Sequence, residues 1–318
     1  KDRLIYEVHI GFFSKEQTYT TFIDKIPYLK ELGINTVEFL PIYEWDDYTG
    51  NLHPDSTPIQ NAWGYNPINF FATTKKFSSS KEENSFSEVE EFRNLVEILH
   101  KNGIEVLLDV VYNHTAEGGK TGYLHHFKAL GEDTFYIKNK DKDFSNFSGC
   151  GNSFHCNHTV TKEMIIESLL YWYLEMGVDG FRFDLMGIID VATMNKIRNE
   201  AIRNNPNALI YGEGWDMPTM LQGSQKANIH NQGAMPHIGH FNDYFRDVIK
   251  GKTSESEKYE RGYATGNWNN AFASLAALTA NVLDTPHYKR FFSPDQSINS
   301  FETHDNSTVW DKMHACCN

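Results

Sequence analysis

Two kinds of hydrophobic pattern alternate along the chain. Short apolar runs rich in β-branched and aromatic residues predict strands, and stretches with apolar residues every three or four positions predict amphipathic helices. Residues 4–10 (LIYEVHI) read as a first strand and 22–32 as a helix stopped by Gly33. Residues 36–42 read as a second strand, followed by a polar and aromatic loop to about residue 85. A helix is expected over 88–100, ended by Asn102-Gly103, then a third strand over 104–111. That run is almost wholly apolar, as in a strand covered on both faces. A second excursion, from His114 to about Thr159, is rich in Gly, Asn, Asp and Lys. Helix is expected over 162–176, strand over 180–186, helix to about 204 and strand over 208–212; residues 238–242 and 297–301 complete seven strands.

Strands alternating with helices imply an α/β fold with a parallel sheet, either doubly wound or closed as a (β/α)8 TIM-type barrel. No phosphate-cradling glycine turn follows the first strand. Polar residues gather instead at the C-terminal ends of several strands, as in a barrel's active face. Residues 1–318 are therefore expected to form one barrel catalytic domain, with excursions at about 43–86 and 114–160. Only residues 305–318 follow the seventh strand, too few for a helix and an eighth strand. The barrel is expected to be truncated there, with the eighth strand and any accessory domains outside this chain.

Composition narrows the partners. The 42 acidic residues outnumber the 29 basic ones, giving a net charge of −13 that disfavours nucleic acid. No apolar run reaches the roughly 18 residues of a membrane span, and no signal-like segment opens the chain, so a cytoplasmic setting is expected over secretion. Cys150, Cys156, Cys316 and Cys317 form no Cys-x-x-Cys pair, which argues against zinc and for free thiols.

The chemistry lies at the strand ends. In Gly180-Phe181-Arg182-Phe183-Asp184, alternation puts Arg182 and Asp184 on one face, and the guanidinium keeps the carboxylate ionised. That suits a nucleophile, although a structural ion pair has the same pattern. Glu213 sits between Gly212 and Gly214, beside Trp215, where apolar surroundings raise a carboxyl pKa as a general acid requires. Taken alone it reads rather as a turn glutamate facing water. Asp109 to His114 and Glu302 to Asn306 supply further acids and histidines at the third and seventh strands. Paired carboxylates without metal-ligand spacing point to cleavage of a glycosidic bond. Trp45, Tyr48, Trp63, Tyr65, Trp215 and Trp268 are candidates for stacking on sugar rings, about half of them expected in the core.

In order and spacing, the blocks 109–114, 180–184, 211–213 and 302–306 resemble the four signature regions of the α-amylase superfamily of glycoside hydrolases. Ala62-Trp63-Gly64-Tyr65-Asn66-Pro67, Glu213-Gly214-Trp215, 241–247 and 304–312 resemble the pullulanase-type debranching enzymes, and 149–157 resembles the isoamylase type. The resemblance implies a retaining hydrolase of α-1,6 bonds in pullulan, amylopectin, glycogen or limit dextrins. The alternatives are an α-1,4-acting amylase, a branching or transferase enzyme, or an inactive carbohydrate-binding barrel. It makes Asp184 the nucleophile, Glu213 the acid/base and Asp305 the transition-state stabiliser. Arg182, His114 and His304 would hold the nucleophile and the sugar, Tyr65 would be the stacking platform, and Asp109 would be a supporting acid. Trp215 joins them as a substrate-binding residue. No cofactor is required; calcium is an option, because Asn113 occupies a position that binds it in true amylases.

Overall fold

The computed structural model describes residues 2–52, 56–80, 82, 85–118 and 126–317. Seven parallel strands form one sheet: β1 (Ile5–Val8), β2 (Thr36–Phe39), β3 (Glu105–Val110), β4 (Gly180–Phe183), β5 (Leu209–Gly212), β6 (Gly239–Phe241) and β7 (Ser297–Ile298). They neighbour one another in strict chain order, with β1 and β7 at the edges. A doubly wound sheet reverses its order at a switch point; this one never does, so it follows a barrel wall.

The register separates two faces. Val37, Phe39, Val106, Leu108, Phe181, Phe183 and Ile210 belong to the main core, together with Phe92 and Leu95 of α1 (Ser87–Lys101), Ile165 and Ile166 of α2 (Thr159–Leu170), and Met194 and Ile197 of α3 (Val191–Asn204). On the opposite face Leu107, Tyr211 and Phe241 form a smaller cluster with Ile5, Leu209 and Ile298. That inner face also carries charge. Glu7 stands opposite Glu38, and Asp109 stands opposite Arg182. Burial, with Glu7 and Asp109 nearby, pushes the Glu38 carboxyl well above the usual range.

Several expected elements differ. The 22–32 helix is broken into Tyr19–Phe22, a 3-10 turn Ile23–Lys25 and Ile26–Glu31. Pro27, in the first turn of the last piece, has no N–H to continue a ladder. The 162–176 helix gives way at Tyr171–Glu175 to a π turn, where the indole of Trp172 donates to the Phe70 carbonyl (2.8 Å). Within 43–86, Tyr43–Trp45 pairs with Pro67–Thr73, and Tyr48–Leu52 with Pro58–Gln60. The second excursion contains the helix Phe127–Phe135, whose first amides, at Phe127 and Lys128, donate to buried Glu117 at 3.0 and 3.1 Å. The fourth strand stops at Phe183 because Leu185 adopts a left-handed φ of 44°. The seventh is two residues long instead of five, so 299–308 is loop. Among the described residues, no helix is long and apolar enough to cross a membrane.

Candidate active site

Arg182 projects from β4 into the inner face and is 2 % exposed. Its Nη1 lies 3.0 Å from Asp109 Oδ1 and 3.2 Å from Asp184 Oδ1, and its Nη2 lies 3.0 Å from Glu213 Oε1. One guanidinium therefore gathers the carboxylates of three strand ends. Such a fork needs arginine's planar set of donors. Burial pushes the Asp109 carboxyl up to about 7, with Asp184 adding to the rise and Arg182 opposing it. Tyr65 also donates its hydroxyl to Asp109.

Asp184 lies one residue beyond β4, its amide bonded to the Val110 carbonyl (3.0 Å). Its second oxygen accepts from Asn113 Nδ2 at 2.7 Å, a contact the sequence reading did not assign. Asn113 Oδ1 is 2.6 Å from His114 Nδ1, while His114 Nε2 is 2.9 Å from the Tyr65 carbonyl. Both partners are acceptors, so both ring nitrogens must carry protons and His114 is a cation. Burial lowers an imidazole pKa, yet Cys150, Asp184 and the Tyr65 carbonyl raise this one above its ordinary value. His114 thus reaches Asp184 through Asn113. Asn113 therefore accepts from His114 through Oδ1 and donates to Asp184 through its amide.

His304 is held from the first strand. Its Nδ1 meets Glu7 at 2.8 Å and its backbone amide donates to the other Glu7 oxygen. Nε2 lies 3.6 Å from Asp305 Oδ1. His304 is thus held by Glu7 and lies beside Asp305. Burial would lower the His304 pKa, but Glu7, Asp109 and Asp305 raise it. Tyr65 stacks on this ring (4.8 Å, 23°) and Trp63 meets it edge-on (5.2 Å). One face of the expected platform is thus already covered.

Glu213 follows β5 and is buried. Its Oε2 accepts the Leu185 amide at 2.9 Å, at the strained left-handed residue that immediately follows Asp184. Burial raises its pKa; Arg182 and the Leu185 amide oppose the rise, and Asp184 and Asp305 add to it. Gly212 and Gly214 flank it because a Cβ would strike the Phe183 carbonyl at the first and His240 at the second.

His240 itself is fully buried, and neither ring nitrogen has a hydrogen-bond partner among the described residues. Burial lowers its pKa to about 4. Unfolding lets it rise to an ordinary value near 6.5, so the unfolded chain binds the extra proton between these pH values. Its contribution to stability is complete above pH 6.5 and is lost as pH falls toward 4, about 3 kcal/mol in all. Urea unfolding at pH 7 and 4.5 should show His240→Asn losing less stability on acidification than the parent; equal losses would remove the assignment.

Arg182, Glu213, Trp215 and Asp305 line one cleft of about 300 Å³. Trp215 is half-buried at its wall. Trp45 is core, only 2 % exposed, whereas Trp63 and Trp268 are exposed; the Tyr48 side chain lies outside what is described.

The family model described as "Alpha amylase, catalytic domain" matches residues 18–151. Pullulanase of Bacillus subtilis is 34% identical over 98% of this chain and 45% of its own length. Isoamylase SU1 of Zea mays is 41% identical over 59% of this chain and 25% of its own. Among solved structures, Anoxybacillus pullulanase complexed with maltotetraose superposes with a TM-score of 0.86 at 32% identity, covering 98% of this chain and 46% of that one. Pullulanase of Paenibacillus barengoltzii in complex with maltohexaose and alpha-cyclodextrin gives 0.85 at 32% identity, over 98% and 50%. The chain spans about half the length of its full-coverage relatives.

Proposed function

The chain belongs to the α-amylase family of glycoside hydrolases, on its pullulanase and isoamylase branch, and on that premise we propose that it is the catalytic part of a retaining enzyme that hydrolyses α-1,6 bonds of α-glucans. One observation carries the reading: a single buried guanidinium holds Asp184 and Glu213 side by side, and Glu213 lines the same cleft as Asp305.

In the proposed cycle an Asp184 oxygen attacks the anomeric carbon as the glycosidic bond breaks. Glu213 passes its proton to the leaving oxygen, and a glycosyl ester forms on Asp184. The Glu213 carboxylate then takes a proton from water; the resulting hydroxide attacks the same carbon and the ester bond breaks. The two carboxyls of such a pair stand about 5–5.5 Å apart. Burial raises the Glu213 pKa, the direction the first step requires, and the nearby Asp184 charge adds to the rise. Asp305 faces the positive charge that develops on the sugar. Nucleophile, acid and base all come from side chains, so the reaction as proposed requires no cofactor. Free thiols at Cys150, Cys156 and Cys316 support a cytoplasmic setting.

Debranching is favoured over α-1,4 cleavage and transfer by the pullulanase and isoamylase relatives. Pullulan consists of maltotriose units joined by α-1,6 bonds, so the full-length protein is expected to convert it to maltotriose. Chromatography of the products decides the matter. Trisaccharides that keep an α-1,6 bond, transfer products, or no products would overturn the pullulanase assignment.

A further inference from the structure

The third carboxylate is placed by a different route from the other two. Asp184 and Glu213 follow directly from strands of four residues, whereas Asp305 lies seven positions past the two-residue β7. Among the described residues, no backbone–backbone hydrogen bond involves residues 299–307. Asn306, next to Asp305, also has a left-handed φ of 66°. Something other than the sheet must hold this loop.

Side chains from two distant elements do so. Lys250 follows α4 (Asp243–Ile249) and is 3 % exposed. Its ammonium donates to the Phe301 carbonyl and, at 2.9 Å, to the Ser307 carbonyl. Those carbonyls bracket the segment that carries His304 and Asp305. Among the described residues, no carboxylate lies within ion-pairing distance of this nitrogen, so its charge is directed at the loop's main chain. The same helix helps from its other end. Its cap, Asn242, donates to Ser297 Oγ and Asn299 Oδ1 at 3.1 and 3.0 Å, and Phe245 packs on Phe301 (4.8 Å). From the opposite edge of the sheet, Glu7 on β1 takes both the main-chain and ring N–H groups of His304.

We propose that Lys250 and Glu7 are positioning residues for the glycosidic reaction, Lys250 by drawing together the two ends of the Asp305 loop and Glu7 by fixing His304 beside that carboxylate. The inference rests on the proposed role of Asp305 in the reaction.

A double-mutant cycle in the full-length protein tests it. Lys250→Met should lower kcat on pullulan by about 10²-fold, the scale of a misplaced catalytic group, with KM little changed. In an Asp305→Asn background the same substitution should lower kcat no further, because Lys250 acts through Asp305. Equal losses in both backgrounds, or an undiminished kcat, would overturn the proposal. Glu7→Gln keeps an acceptor but loses the charge and the paired geometry; it should show the same dependence on Asp305, and it carries the test if Lys250→Met does not fold. Amide hydrogen exchange separates this inference from the functional reading. Both variants should speed exchange at the His304 amide, which donates to Glu7, and leave β3 and β4 protected, whether or not pullulan is a substrate. Unchanged exchange in the loop would refute the clamp itself.

Discussion

Asp184→Asn in the full-length protein is expected to lower kcat on an α-glucan on the order of 10⁴-fold, as loss of a central catalytic group does. The change is nearly isosteric, so the barrel should stay intact, but it removes the nucleophile. A neutral amide oxygen cannot form the glycosyl ester at a useful rate. It also disturbs the carboxylate's setting. Both oxygens now accept, one from Arg182 at 3.2 Å and one from Asn113 at 2.7 Å. An Asn must turn its own amide donor toward one of these donors. Binding of maltooligosaccharides should persist, because Trp215 and the cleft wall are untouched. Steady-state kinetics and calorimetric titration separate the two effects. A variant that turns over at the parent rate would remove Asp184 from the reaction.

Arg182→Met is expected to be damaging on both counts. The guanidinium is 2 % exposed and contacts Asp109, Asp184 and Glu213 together. Removing one partner from a buried ionic network leaves charge uncompensated and costs about 3–5 kcal/mol. With three acids left facing one another, the cheapest relief is protonation, Asp109 first, because burial has already brought its pKa to about 7. The variant should therefore regain stability as pH falls through the acid range, opposite to the His240 effect. Arg182→Lys should recover only part of the loss, since an ammonium is a point charge without the fork. Urea titrations across pH check the sign; an Arg182→Met protein as stable as its parent would show that the network is not under electrostatic load.

The barrel was legible because its strands are short apolar runs covered on both faces, and residues 104–111 are the clearest instance. Arg182 and Asp184 were legible because strand alternation places them on one face. Less could be read where long-range contacts decide. Pro27 marks the break between Phe22 and Ile26, but the π turn at Tyr171–Glu175 has its indole bonded to a carbonyl a hundred residues away. The pairing of Tyr43–Trp45 with Pro67–Thr73 involves register shifts that no simple alternation reports. Asn113 lay in plain view between Asp109 and His114, and its contact with Asp184 follows once β3 and β4 are known to be neighbours. Glu7 offered a fainter signal, a carboxylate two positions from Ile5 on the same inner face of β1. Its partner His304 is 297 residues distant. Lys250 offered none: a lysine after an amphipathic helix reads as solvent-exposed, and only the tertiary packing buries it.

The central claim is that Asp184 bonds covalently to the sugar while Glu213 supplies and recovers the proton. Incubating the full-length protein with a slow, activated fluoro-glucosyl substrate, then digesting and sequencing peptides by mass spectrometry, tests it most directly. The account predicts a single glycosyl adduct on the carboxylate of Asp184. An adduct on Glu213 or Asp305, or complete turnover to the inverted β-anomer with no adduct, would contradict it.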